Sequence, residues 1–333
     1  MNIYDISEKA GVSIATVSRV LNGNSKVSEK TRQKILDVME ETGYQPNIFA
    51  RGLGLNTMNT IGVMCADSSD LVLAAAVYHV EQELHKYQYD VLLCCTGYET
   101  KEKEKYMNLL RSKRVDAVIL VGSNFIEEDM KQNQYIIETA KEIPVMLVNA
   151  YLDAPNVFCA VCDDRAMMRQ ATEKFLKKER RVLYLYRSLS YSGRQKIQGV
   201  RDALENVGIK PEEGQILLIN GTIEDTRKKL EELWEKGERW DVIMTSDDEL
   251  AVGACKFAKT RKLKIPQDLQ ILGYNNSKIS ICSEPEISTV DNHMRDASIL
   301  VVDLLMKILQ KEEVSSKTVV DGEVVLRDTT IDL

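Results

Sequence analysis

The chain has 333 residues, 44% of them hydrophobic and 29% charged, which is enough apolar content for one small domain and a larger two-lobed one. Its formal charge is −7, yet residues 1–60 hold 7 Lys+Arg against 6 Asp+Glu, which leaves −8 for the other 273. A weakly basic first segment excludes an attraction to polyanions based on bulk charge alone. No stretch approaches a membrane-spanning length and no charged-then-apolar leader precedes Asn2, so no membrane partner is expected and a cytoplasmic location is. The seven cysteines include the neighbours Cys94 and Cys95 and lie mostly in apolar runs without Cys-x-x-Cys or histidine pairing. They are expected to fill cores in a reducing compartment, with no metal and no cofactor.

In chain order, Ile3 to Ala10 is predicted helical, and Gly11-Val12-Ser13 breaks it. Ser13 is placed to cap a second helix in which Val17, Val20 and Leu21 form the buried stripe at i, i+3, i+4. Ile14, Ala15, Ser18, Arg19 and Asn22 stand on the opposite face, small or forked side chains spaced to follow base edges in a major groove. A third helix opens at Ser28, runs through Glu41 with Ile35, Leu36 and Met39 inward, and stops at Gly43. Asn47 is placed to cap a further helix of barely two turns, ended by Gly52 and Gly54 and too short to hold its shape without a partner.

From Thr60 onward, short apolar runs alternate with amphipathic stretches. Strands are predicted over Thr60 to Ala66, Tyr89 to Cys95, Asp116 to Val121 and Pro144 to Asn149. In the second half they are predicted over Val182 to Tyr186, Gln215 to Asn220, Asp241 to Thr245 and Leu269 to Tyr274. Helices are predicted between them, among others over Leu71 to Tyr87, Glu99 to Arg114, Ser192 to Val207 and Glu249 to Leu263. Runs such as Ala117-Val118-Ile119-Leu120-Val121 suit a parallel sheet covered on both faces, and two such lobes leave a cleft at the carboxyl ends of their strands. Catalysis is not expected, because the first strand leads into Asp67-Ser68-Ser69-Asp70 where a phosphate-binding enzyme would have glycines. No nucleophile-elbow motif appears either, and the three histidines, His79, His85 and His293, are scattered.

The motifs Ile3-Tyr4-Asp5-Ile6, Gly11-Val12-Ser13 and Thr16-Val17-Ser18-Arg19-Val20-Leu21-Asn22 occur in this order with Tyr44-Gln45-Pro46-Asn47, Ala50-Arg51, Leu53 and Thr60-Ile61-Gly62-Val63. Looser matches extend to Leu326-Arg327-Asp328-Thr329. Together they resemble the lactose/galactose repressor (LacI/GalR) family over essentially the whole chain. The resemblance implies an all-α helix-turn-helix headpiece over 1–46, a hinge helix and linker over 47–59, and a periplasmic-binding-protein-like α/β core over 60–333. That core would comprise two doubly wound parallel-sheet lobes, about 60–160 with 291–320 and about 161–290 with 321–333, crossing near Cys159 to Cys162, Thr289 to His293 and Asp321. The expected function is a DNA-binding transcriptional regulator, a repressor of carbohydrate-related genes controlled by a small sugar-like effector. Its expected partners are a pseudo-palindromic double-stranded operator and a second copy of the chain, a dimer rather than a tetramer because no heptad tail follows the last strand-like run.

Residue by residue, the resemblance implies DNA contacts from Tyr4, Ser13, Ile14, Ala15, Thr16, Ser18, Arg19, Asn22, Asn47 and Ala50, with Leu53 wedging a central base step in the minor groove. In the cleft it implies Ser69, Asn149, Ser192, Lys196, Ile223, Asp247 and Asn275. Four of these depart from the family's pattern, Asp247 among them, where relatives often have asparagine or another small polar residue. Lys196 stands where an arginine usually clamps ligand oxygens, Asn275 where an aspartate grips hydroxyls, and Ile223 where a stacking ring often sits. Val72-Leu73 replaces an aromatic pair, so aliphatic walls are expected and purines are not. Lys196 and Asp247 are also placed to pair with each other across an empty cleft. Two alternatives stay open, a regulator answering to a protein corepressor or to no small effector, and a sugar-binding protein with vestigial DNA binding.

Overall fold

The computed structural model describes residues 2–21, 26–44, 57–176, 180–209 and 215–331. The chain divides into a small unit built on residues 1–60, joined by 113–116, and a large unit holding the remainder.

In the small unit the helices are α1 (Ile3–Ala10), α2 (Ile14–Leu21) and α3 (Glu29–Thr42). Local chemistry fixes their ends. Asn2 Oδ1 accepts the Tyr4 and Asp5 N–H groups while the Asp5 carboxylate accepts the Asn2 N–H at 2.7 Å, a reciprocal cap on α1. Gly11, left-handed at φ 60°, ends that helix, and Ser13 Oγ accepts the Thr16 N–H at the start of α2. Ser28 caps α3 and Gly43 closes it at φ 61°. Ile6, Ala10, Val17, Val20 and Ile35 form one buried core across the three helices. Leu36, expected to face inward, is 42% exposed. The stripe that packs is Ile35, Val38 and Met39, and Leu36 lies about 100° around the helix from Ile35.

The large unit holds two six-stranded sheets. The first contains β1 (Thr60–Cys65), β2 (Asp90–Cys95), β3 (Ala117–Val121), β4 (Val145–Val148), β5 (Val157–Cys162) and β11 (Lys317–Val320), in the order β11-β5-β4-β3-β1-β2. The second contains β6 (Val182–Tyr186), β7 (Ile216–Leu218), β8 (Val242–Thr245), β9 (Gln270–Tyr274), β10 (Ser288–Asp291) and β12 (Glu323–Val325), in the order β12-β10-β9-β8-β6-β7. Each central strand is an apolar run buried on both faces, as Ala117–Val121 illustrates.

Helices α4 (Leu71–Lys86) and α12 (Met294–Leu309) cover one face of the first sheet, where Leu84, Val301 and Leu305 pack on Ile61, Val63 and Ile119. The other helices beside this sheet are α5 (Thr100–Ser112) and α6 (Gln134–Ala140). On the second sheet, α7 (Asp164–Leu176) and α8 (Tyr191–Asn206) bury Phe175 and Val200 against one face. Helices α9 (Ile223–Glu235) and α10 (Asp248–Thr260) bury Leu230 and Phe257 against the other. The short α11 (Lys278–Cys282) follows β9.

The chain passes between sheets after β5, β10 and β11. The sheets are not wholly parallel, because β12 runs antiparallel to β10. Strand β10 leads out of the second lobe and β12 leads back into it, so adjacent segments of opposite travel pair with opposite direction. Gly322 makes the tight return, and a Cβ there would lie 2.9 Å from the Asp291 carbonyl.

All seven cysteines are free, and five are buried as core filling requires. Cys95 and Cys282 are exposed, contrary to that expectation, because Cys95 ends an edge strand and Cys282 ends the short α11.

The start of α8 is held tightly. Ser190 Oγ accepts the Gly193 N–H, and a Cβ on Gly193 would lie 2.2 Å from the Ser188 carbonyl oxygen. Gly193→Ala is expected to lower stability by about 1–3 kcal/mol, read as a fall in the urea midpoint, because backbone and not a flexible side chain must yield. An unchanged midpoint would show that this turn is loose.

Candidate DNA-reading face and interlobe cleft

The face of α2 opposite Val17 and Val20 carries Ile14, Ala15 and Arg19, all exposed, with Thr16 and Ser18 half-buried beside them. Ser13 is exposed and Tyr4, on α1, is 66% exposed. A two-turn helix whose apolar side is sealed by α1 and α3 presents its outer side to solvent, the arrangement that reading a major groove would need. Asn22, Asn47, Ala50 and Leu53 lie outside the described residues.

Between the two lobes of the large unit lies a cavity of about 630 Å³ at the carboxyl ends of the strands. Ser69, Asn149, Ser192, Lys196, Asp247 and Asn275 all line it. Ser69 donates its hydroxyl to Asp67 at 2.7 Å, and Asn149 follows β4 with φ 62°, a left-handed position that asparagine tolerates. Asn275 Oδ1 accepts from Asn292 Nδ2 at 3.2 Å.

Ile223 does not line the cavity, and Asn220 and Gly221 do so in its place. Thr222 and Asp225 form a reciprocal cap that starts α9 at Ile223. The Thr-x-x-Asp spacing was the available signal. An aromatic ring is present after all, because Tyr98, on the loop beyond β2, joins Leu71, Val72 and Leu73 in the wall.

Lys196 is fully buried and is not paired with Asp247. Its Nζ donates to the Ser246 carbonyl at 3.0 Å and sits 3.7 Å above the Tyr274 ring centre. Burial pushes the lysine down from its ordinary value, and the Asp164 carboxylate opposes that by favouring the ammonium. Asp164 is itself pushed up by burial, with Lys196 and the hydroxyl of Tyr274 working the other way. Lys196 at the wall, with Tyr274 and Asp164 behind it, thus forms a buried polar cluster.

Asp247 has a different partner. Its Oδ1 accepts the Leu250 N–H as the cap of α10, and both oxygens accept from Arg187 at 3.2 Å. Arg187 also donates to Glu249 at 3.1 Å and to the Gly221 carbonyl at 2.9 Å. It follows β6 directly, and its role was not foreseen. A single cation at the end of an apolar strand that opens onto the cleft was the only sequence signal.

Asp248 is structural, since it accepts from Ser277 and Thr289 and ties β10 to α10, with Gly273 leaving room for the carboxylate. Two hydrogen bonds cross the cleft rim. Ser123 Oγ donates to Ser190 Oγ at 3.0 Å, and Arg194 Nη2 donates to the Ile126 carbonyl at 3.3 Å.

Cleft and headpiece together are the parts of a ligand-responsive DNA-binding protein. Residues 2–47 match the family described as bacterial regulatory proteins, lacI family, and residues 58–323 match the periplasmic binding proteins and sugar binding domain of LacI family. An HTH-type transcriptional regulator of Lachnoclostridium phytofermentans is 50% identical over 331 residues, 99% of each chain. Catabolite control protein A of Priestia megaterium is 28% identical over 322 residues, 96% of each.

In architecture, the lac repressor dimer bound to operator and the anti-inducer ONPF superposes with a TM-score of 0.89 at 22% identity, covering 99% of each chain. The chain belongs to the LacI family and is a DNA-binding transcriptional regulator. Among the described residues no helix is long and apolar enough to cross a membrane, and no cluster of His, Cys, Asp or Glu is arranged to hold a metal.

Proposed function

We propose that residues 1–46 read a pseudo-palindromic operator as half of a homodimer, that 47–59 form the hinge, and that 60–333 dimerise and bind an effector. The protein represses carbohydrate-related genes in the cytoplasm and catalyses no reaction. Exposed Ile14, Ala15 and Arg19 on a sealed helix support base reading, and the interlobe cavity supports effector binding. Within the cavity Ser69, Asn149, Ser192 and Asn275 supply neutral donors and acceptors suited to hydroxyl groups. Lys196 and Asp247 also shape the wall, the lysine by lying over the Tyr274 ring and the aspartate by holding Arg187. A relative of the same fold, the regulator CelR, is described in complex with cellobiose, which favours a sugar or sugar derivative here.

The test is calorimetry of the full chain against a panel of neutral mono- and disaccharides and their phosphates, in parallel with selection from random duplex oligonucleotides. Binding of at least one sugar, with a changed affinity for the selected duplex, is expected from reciprocal linkage. If the panel is silent while duplex selection succeeds, the effector reading fails and control by a protein corepressor takes its place. Arg187 bears on that second reading, since it holds Asp247 and Glu249 in ion pairs at the cavity wall.

A further inference from the structure

Cys65 ends β1 and Cys95 ends β2, neighbours at one edge of the first sheet, and their Sγ atoms lie 3.8 Å apart. Their backbones run side by side, with the Thr96 N–H donating to the Cys65 carbonyl and the Gly97 N–H to that of Ala66, each at 2.9 Å. Adjacent strands stand about 4.8 Å apart, within the ~4.4–6.8 Å between Cα atoms that a disulfide spans. Bond formation there needs side-chain rotation more than backbone movement.

The two thiols differ in access. Cys95 is exposed, whereas Cys65 packs under α4 with Leu73, Ala76 and Val80. Cys94 is buried and, one residue from Cys95 in a strand, points to the opposite face.

We propose that Cys65 and Cys95 are a modification site, a thiol pair that a peroxide converts into a reversible disulfide at the rim of the ligand cleft. The exposed Cys95 reacts first: its thiol gives up its proton, the thiolate attacks a peroxide oxygen, and the O–O bond breaks to leave a sulfenic acid and hydroxide, which takes up that proton as one water. Cys65 then gives up its proton and attacks the Cys95 sulfur, the S–S bond forms, and hydroxide leaves and is protonated to a second water. Two thiols lose two electrons in all, and the peroxide gains them. Burial pushes the Cys65 thiol up to about 12, so the second step depends on removing its proton and quickens as pH rises.

The position gives the bond a consequence. Asp67 lies two residues beyond Cys65 and Tyr98 three beyond Cys95, and both line the cavity. A covalent tie between the strand ends fixes the stems of both cleft loops. It links oxidant exposure to a wall of the site whatever ligand that site takes.

The experiment treats the reduced full-length protein with stoichiometric hydrogen peroxide, counts free thiols and maps an unreduced digest. The expected result is a loss of two of the seven thiols, a peptide containing Cys65 joined to one containing Cys95, and full recovery with dithiothreitol. Cys65→Ala should leave Cys95 as a sulfenic acid that a 1,3-dione captures. Cys95→Ser, at an exposed position that does not threaten folding, should leave Cys65 reduced. A Cys94–Cys95 link, a link between two chains through Cys95, or irreversible oxidation of Cys95 with Cys65 still free would each overturn the proposal.

Discussion

Lys196→Met is expected to destabilise the large unit by about 1.5–3 kcal/mol, the worth of a charge-assisted hydrogen bond to the buried Ser246 carbonyl. Methionine nearly preserves the volume, so packing does not account for the loss. What disappears is the ammonium that holds the Ser246 carbonyl, caps the Tyr274 ring and favours the Asp164 carboxylate. Asp164 is then left in the interior with the Tyr274 hydroxyl as its hydrogen-bond donor. A second change, Asp164→Asn, removes that uncompensated charge, so the double variant should recover part of the loss. Urea unfolding followed by intrinsic fluorescence would measure both. A single variant within about 1 kcal/mol of the parent would mean that Asp164 is protonated at neutral pH and that the lysine does not compensate it.

Arg19→Ala is expected to abolish recognition of a selected symmetric duplex while leaving the fold intact. Arg19 is exposed and takes no part in the headpiece core, so circular dichroism should not change. A bidentate base contact is worth roughly 1–3 kcal/mol, and a dimer loses it in both half-sites, so affinity should fall by at least about thirty-fold. Arg19→Lys separates two roles. If the guanidinium reads a base edge, lysine relaxes the sequence preference at that position. If it meets only a phosphate, the alanine variant weakens all duplexes alike and reduces the salt slope by about two, one for each half-site. Retention of full affinity in Arg19→Ala would remove α2 as the reading helix.

What sequence could reveal here depended on how locally each feature is determined. The bounds of α1 to α3 follow from Asn2 with Asp5, Gly11, Ser28 and Gly43, each acting within a turn of its helix. The central strands announced themselves because burial on both faces demands uninterrupted apolar runs. Leu36 was misplaced because one apolar residue beside a stripe resembles a member of it until the partner helices are in place. The cleft was legible as a set of positions and much less so as a network of contacts. Resemblance located Lys196 and Asp247, but their partners, Asp164 and Arg187, come from different elements far along the chain. Ile223 failed where a nearby cap overrode an alignment-like expectation, and Tyr98 was missed because its loop approaches the cavity only through tertiary packing.

The two bridges across the rim, Ser123 to Ser190 and Arg194 to Ile126, act as a light clasp. Each is worth about 1 kcal/mol, so together they favour the shut arrangement by a factor of roughly thirty. A guest that spans both sides with a few hydrogen bonds of its own could outweigh that bias, whichever arrangement it prefers. The rim bonds thus contribute a bias of the size that a single metabolite's hydrogen bonds can match.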